Sequence, residues 1–222
     1  MQLYAIIVAG GLGTRMGNNL PKQLMPINGK PIIAHTITAF QNTQLNFNYI
    51  VVCHANYIPQ MQTALQQFAH LKIKVIAGGN QRYNSVQNGL KLITDTVPSI
   101  VLVHDAVRCL VSPTLIKNLV NNAMLFGNAI PAIPVTDSMR LIVNNNNTNI
   151  DRATLKIVQT PQAFANTVIQ PCFKNNYQPN FTDEATVCEL AGVKINLIAG
   201  EETNIKITYP SDILFAENIL KQ

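Results

Sequence analysis

Short apolar runs alternate with stretches of helical period along most of the chain. Leu3 to Ala9 is rich in Ile and Val, the pattern of a strand buried on both faces. Pro31 to Phe40 spaces its apolar residues at helical period and carries Pro in its first turn, where a missing N–H costs nothing. The alternation continues with strands at Asn48 to Cys53, Lys72 to Ala77, Ser99 to His104 and Ala129 to Ile133. Helices at Ile58 to Phe68, Arg82 to Ile93 and Thr114 to Phe126 separate them. This order predicts an α/β fold with a mostly parallel sheet covered by helices on both faces.

The pattern breaks after residue 134. Ser138 to Val143 and Asn149 to Val158 read as two extended arms around a turn at Asn144 to Asn147, since Asn tolerates left-handed backbone. Helices then follow at Ala163 to Phe173 and Thr182 to Ala191. Thr182 is the expected N-cap of the second, with Asp183 and Glu184 in its first turn. A strand at Val193 to Ile198 and a helix at Ser211 to Leu220 close the order. No long polar linker interrupts it, so residues 1–222 are expected to form one domain, from which residues 136–158 protrude as a β-arm.

Composition narrows the classes. Of 222 residues, 47% are hydrophobic and 12% charged, which supplies a full core and excludes a disordered chain. No apolar run reaches the roughly 18–20 residues of a membrane span. Met1-Gln2-Leu3-Tyr4 lacks a basic lead-in and the apolar run stops at Gly10 and Gly11, so no signal peptide is expected. No repeat is present. The 16 basic residues exceed the 11 acidic ones, leaving +5. A basic surface without function and an anion-binding cleft both fit that excess. The cations form no run and do not alternate with aromatics, so nucleic acid is not an expected partner. Cys53, Cys109, Cys172 and Cys188 have neither C-x-x-C pairing nor His at ligand spacing, which argues against zinc or a redox pair. Cys53 and Cys188 read as small core residues. Such cysteine usage suits a reducing cytosol, and a cytoplasmic protein is expected.

The chemistry gathers at strand ends. Ala9-Gly10-Gly11-Leu12-Gly13-Thr14-Arg15-Met16-Gly17 follows the first strand, where glycines let backbone amides approach a phosphate. It is not the dinucleotide fingerprint, because Met16 stands where the third Gly belongs. Nor is it the Walker-type loop, because Asn18 follows Gly17. What distinguishes it is charge: Arg15 lies inside it and Lys22 follows Pro21, two cations suited to a triphosphate and its pyrophosphate leaving group. Asp105 ends the fourth strand on the same edge, either as a Mg²⁺-holding carboxylate or as a turn aspartate. His104 reads as a structural histidine. Gly78-Gly79-Asn80-Gln81-Arg82 ends the third strand on that edge as well. Taken alone, Lys206 reads as a surface lysine. Arg140 and Arg152 read as solvated hairpin cations unless a second subunit receives them.

Read in order, these segments resemble one family across nearly the whole chain. The set is Ala9-Gly10-Gly11-x-Gly13-x-Arg15-Met16-Gly17, Pro21-Lys22-Gln23, Gly78-Gly79-x-x-Arg82-x-x-Ser85-Val86, His104-Asp105-Ala106-x-Arg108, Asp151-Arg152, Gln159-Thr160-Pro161-Gln162, Thr182-Asp183-Glu184-Ala185 and Asn204-Ile205-Lys206. It is similar to the 2-C-methyl-D-erythritol 4-phosphate cytidylyltransferases of the non-mevalonate isoprenoid pathway. The resemblance implies a Rossmann-like fold of the nucleotide-diphospho-sugar transferase type, dimeric through the arm. It implies CTP and methylerythritol phosphate as substrates, Mg²⁺ as cofactor, and no covalent intermediate. By position, Arg15, Lys22 and Lys206 would stabilise the triphosphate and the transition state, and Asp105 would bind Mg²⁺. Ala9, Gly10, Gly11, Gly13, Gly79, Asn80, Arg82, Ser85 and Ala106 would surround the nucleotide. Ser138, Arg152 and Thr160 would hold the acceptor phosphate, Arg152 in the neighbouring subunit's site, with Arg108 supporting that pocket. Asn80 replaces an acid, Cys109 a proline and Ser138 a threonine. A ribitol 5-phosphate cytidylyltransferase and a non-catalytic nucleotide-binding module are the alternatives.

Overall fold

The computed structural model describes residues 1–11, 20–94, 97–174 and 176–221. Strand β1 (Gln2–Ala9) lies inside the sheet, because its residues are apolar toward both faces. Leu3, Ala5 and Ile7 point into one core, with Ile33 and Phe40 of α1 (Ile32–Gln41), Met61 of α2 (Ile58–Leu65) and Leu119 of α4 (Pro113–Phe126). Tyr4 and Ile6 point into the other. There they meet Val86 and Leu90 of α3 (Arg82–Leu90), Ile169 of α5 (Asn166–Cys172) and Val187 of α6 (Glu184–Leu190). Two-residue periodicity thus feeds both layers from one strand. Each fully buried Ile contributes roughly 2 kcal/mol.

β1 pairs in parallel with β4 (Phe47–Cys53) and β6 (Ser99–Asp105), and β5 (Ile73–Ala77) extends the sheet beyond β4. On the other flank the direction reverses. β11 (Gln162–Ala165) runs antiparallel to β6 and to β7 (Asn128–Pro134). β10 (Lys156–Val158) is antiparallel and β12 (Leu197–Ala199) parallel to β7. A small ladder of β2 (Pro26–Ile27) and β3 (Lys30–Pro31) supports a third core, where Ile27 and Ile32 meet Ala216 of α7 (Pro210–Ile219).

Four sequence expectations are corrected. The helix expected over Ala163 to Phe173 begins only at Asn166. Gln162, Ala163 and Phe164 form strand instead, each fully buried between β6 and β7, and a run so short carries no readable period. Asp183, not Thr182, caps α6, accepting from the Thr186 amide at 2.8 Å. Of the strand expected over Val193 to Ile198, only its end joins the sheet. The Asn128 side chain holds the preceding segment, donating to Lys194 O at 2.9 Å and accepting from Asn196 N at 2.8 Å. The arm pairs β8 (Met139–Val143) with β9 (Asn146–Ile150), so the second arm starts inside the expected turn and, of Asn149 to Val158, only Asn149 and Ile150 belong to it. Asn144 and Asn145 at φ 49° and 63° close it as a two-residue turn, which fixes that register. β10 leaves the arm and returns to the main sheet. All four cysteines are free and buried. Among the described residues no helix is long and apolar enough to cross a membrane.

Candidate active site

The carboxyl ends of β1, β5 and β6 open into a cleft of about 360 Å³. Two glycines shape its floor. Gly78 N donates to Cys53 O at 2.7 Å, and Gly79 N donates to Ser85 Oγ at 3.2 Å. A Cβ at Gly79 would overlap Asn84, so the turn admits only glycine without moving α3. At the end of β1, Gln23 Nε2 donates to Ala9 O at 2.5 Å and fixes the short 3₁₀ turn Lys22–Leu24 beneath the cleft. That turn buries Lys22 to 8% exposure, with Nζ donating to Ile207 O at 3.1 Å.

Asp105 sits where the charges converge. Lys206 Nζ donates to its Oδ2 at 2.8 Å, and Arg82 Nε and Nη2 both approach its Oδ1 at 3.3 Å. Arg108 Nε is 4.0 Å from Oδ2. Burial alone would raise the Asp105 pKa. Arg82, Lys206 and Arg108 outweigh it and hold the carboxyl well below the usual carboxylate range. Burial lowers the Arg82 pKa, and Glu184 with Asp105 overturns this, so the guanidinium stays charged. Arg108 Nη1 donates to Asn204 O at 2.7 Å, tying the residue to the loop that carries Lys206.

A second lobe of about 220 Å³ adjoins the first. Arg108, Gln159, Thr160, Thr182 and Asp183 are among its lining residues, and it shares Arg82, Asp105 and Lys206 with the first lobe. The expected residues distribute accordingly. Ala9, Gly10, Gly11, Lys22, Gly79, Asn80, Arg82, Ser85, Asp105 and Lys206 line the first lobe. Arg108 and Thr160 line the second. Ala106 lines neither. Its N–H donates to Val8 O at 3.0 Å and its carbonyl accepts from Thr36 Oγ1 at 2.8 Å, so its place is to hold the strand end. Ser138 and Arg152 are exposed on and just after the arm and line neither lobe, and Arg152 Nη1 donates to Thr136 O. Gly13 and Arg15 lie outside the described residues.

Two side chains escaped the sequence reading. Glu184 is buried to 1% exposure and pairs with Arg82 through both of its oxygens. Asn204 is fully buried and donates to Thr160 O at 2.9 Å. Their only sequence signals were membership of the Thr182 to Ala185 and Asn204 to Lys206 segments.

Glycine turns, buried cations and a carboxylate gathered at one sheet edge define a nucleotidyltransferase of α/β fold. The family model for 2-C-methyl-D-erythritol 4-phosphate cytidylyltransferase matches residues 3–222. The chain is 40% identical over 224 residues to the enzyme of that name from Clostridium botulinum, covering 98% of this chain and 99% of the relative. It is 39% identical to the bifunctional enzyme IspD/IspF of Desulfotalea psychrophila, of which it spans 56%. It superposes on the 4-diphosphocytidyl-2C-methyl-D-erythritol synthase of Anaerococcus prevotii with a TM-score of 0.84 at 25% identity, covering 100% of this chain and 96% of that one. The Francisella tularensis 2-C-methyl-D-erythritol 4-phosphate cytidylyltransferase gives 0.81 at 29% identity, with 99% and 100% covered. The chain belongs to the 2-C-methyl-D-erythritol 4-phosphate cytidylyltransferase family. It is an enzyme of CTP-dependent cytidylyl transfer, and this assignment favours methylerythritol phosphate over ribitol 5-phosphate as acceptor.

Proposed function

We propose that the first lobe receives CTP and the second the methylerythritol phosphate, with the reaction at the wall they share. The observation that carries this reading is that Arg82, Asp105 and Lys206 face both lobes at once. The acceptor's phosphate oxygen attacks the α-phosphorus in line. One P–O bond forms, and the bond from the α-phosphorus to the bridging oxygen breaks. That oxygen leaves on pyrophosphate with the electron pair. The chain's own work is to hold two anions close together and to neutralise charge that builds on the leaving group.

In this reading Lys22 and Lys206 supply that neutralisation, together with Arg15 of the glycine loop. The buried position of Lys22 strengthens its field, since little water screens it. Gly10, Gly11 and Gly13 cradle the phosphates. Gly79, Asn80 and Ser85 meet the base and ribose, and the amide of Asn80 accepts the hydrogen bond that an acid would take. Arg108 and Thr160 line the acceptor's side.

The donor set suits Mg²⁺ carried in by the nucleotide. Among the described residues no group of three or more His, Cys, Asp and Glu gathers as a protein cage, while Asp105 offers one ionised hard carboxylate on the shared wall. Asp105 would hold the ion, which when bound shields the phosphate charges. Incoming phosphates would give Lys206 and Arg82 alternative anions and free the carboxylate oxygens.

The acceptor lobe takes Ser138 and Arg152 from a second copy, docked through the arm. An isolated two-stranded ribbon is marginal in water, and Leu141, Ile142 and Val143 are 49%, 72% and 55% exposed on this one. A cytoplasmic location, argued from four free cysteines, belongs to the same reading.

The test is pyrophosphate release with CTP, Mg²⁺ and each acceptor in turn. Turnover with methylerythritol phosphate is expected. Turnover with ribitol 5-phosphate alone, or with neither, overturns the proposal.

A further inference from the structure

Glu184 is buried to 1% exposure, and the reaction described above does not use it. Its Oε1 accepts from Arg82 Nη1 and its Oε2 from Nη2 at 3.0 Å, the two-pronged pairing that fixes the plane of a guanidinium. Arg82 holds Asp105 less closely, through two contacts of 3.3 Å to a single oxygen. The carboxylate of Glu184 is braced from behind. It sits on the first residue of α6, which Asp183 caps. Gln162 of β11 clasps the same turn, donating to Asp183 Oδ2 at 2.8 Å and accepting from Ala185 N at 2.9 Å. Gln162 is itself fully buried, so the brace rests on the sheet.

A buried charge is costly to install, and such a brace serves to keep a partner in one place. The partner here is Arg82, which borders both lobes. We infer that Glu184 is a positioning residue that holds Arg82 across the two lobes and limits its pairing with Asp105 to the two 3.3 Å contacts with Oδ1. Without that carboxylate the nearest anion to Arg82 is Asp105. The existing 3.3 Å ion pair would then shorten and draw in the carboxylate that Mg²⁺ needs. The inference rests on the reading of this cleft as the CTP site.

The test compares Glu184→Gln, Glu184→Asp, Arg82→Ala and the double variant Arg82→Ala/Glu184→Gln by steady-state kinetics and thermal melting. Glu184→Gln is expected to lower kcat about ten- to a hundredfold with a smaller change in the KM for CTP. Glu184→Asp, which keeps the charge, recovers part of the loss. In the Arg82→Ala background Glu184→Gln costs no further activity, because its route to the reaction is already gone. There it raises the melting temperature by about 5–10 °C, because it removes an orphaned buried charge. Losses in kcat that multiply in the double variant, or a Glu184→Gln enzyme that melts early with kcat intact, would reduce Glu184 to a packing role. If Glu184→Gln alone does not fold, the double variant against Arg82→Ala gives the same decision. A wild-type enzyme that releases no pyrophosphate refutes the functional reading, whereas an active wild type with multiplying losses refutes only this inference.

Discussion

His104 and Asp105 are neighbours on β6, and strand alternation turns their side chains to opposite faces. Asp105 faces the cleft. His104 packs its ring 5.3 Å from that of Phe40 and is fully buried. Its Nε2 lies 3.1 Å from Arg108 O, which can only accept, so that nitrogen carries the proton. Nδ1 then accepts from Thr160 Oγ1 at 3.0 Å, and the same hydroxyl accepts from Asp105 N at 3.0 Å. His104 is therefore a neutral strut that sets the backbone of the carboxylate. Burial lowers its pKa from 6.5 to about 3. Between those values the unfolded chain binds a proton that the native chain refuses. The stabilisation from this site is complete above pH 6.5 and is lost as the pH falls toward 3. The depressed carboxyl of Asp105 also loses its contribution in acid, but only below the ordinary carboxylate range. Unfolding free energy from urea titrations is expected to fall by about 1 kcal/mol per pH unit between roughly pH 6 and 4, and His104→Gln should flatten that slope. An unchanged slope in the variant would assign the proton to another group.

At the scale of elements, the turn after β5 decides where α3 begins. A Cβ on Gly79 would press on the Asn84 backbone, with Asn84 C at 3.3 Å, so Gly79→Ala must push the first turn of α3 outward together with Arg82 and Ser85. The KM for CTP is expected to rise about ten- to a hundredfold, with the acceptor KM changed much less. Equal KM values in steady-state assays would show that the helix absorbs the extra atom. This turn was legible in the sequence, as were β1 and β6 with Asp105 at its strand end, because each joins an apolar run to a local glycine or acid signal, while β4 and β5 were legible from their Ile and Val content alone. The strand Gln162–Ala165 was not legible: its four residues read equally well as the start of the helix that follows. Nor were the burial of Lys22 or the partner of Glu184. Both follow from contacts across the chain, Lys22 with Ile207 and Glu184 with Arg82, that no local pattern encodes.

For the whole molecule, the question is whose Arg152 serves which cleft. Within one chain this residue and Ser138 are exposed and line neither lobe, although Arg108 and Thr160 do line the acceptor side. If the arm of a second copy delivers Arg152, the Lys22→Ala and Arg152→Ala variants damage different halves of each composite site. A mixed dimer then holds one site with both lesions and one with none. Coexpressing the two inactive variants in equal amounts makes half of all dimers mixed, so about a quarter of wild-type pyrophosphate release is expected to return. Each variant expressed alone stays inactive. If Arg152 works within its own chain, every site in the mixture carries one lesion and nothing returns. A monomeric protein by sedimentation gives the same null result and removes the arm's role altogether. Recovery in the mixture requires a dimer whose two clefts are each built from both chains.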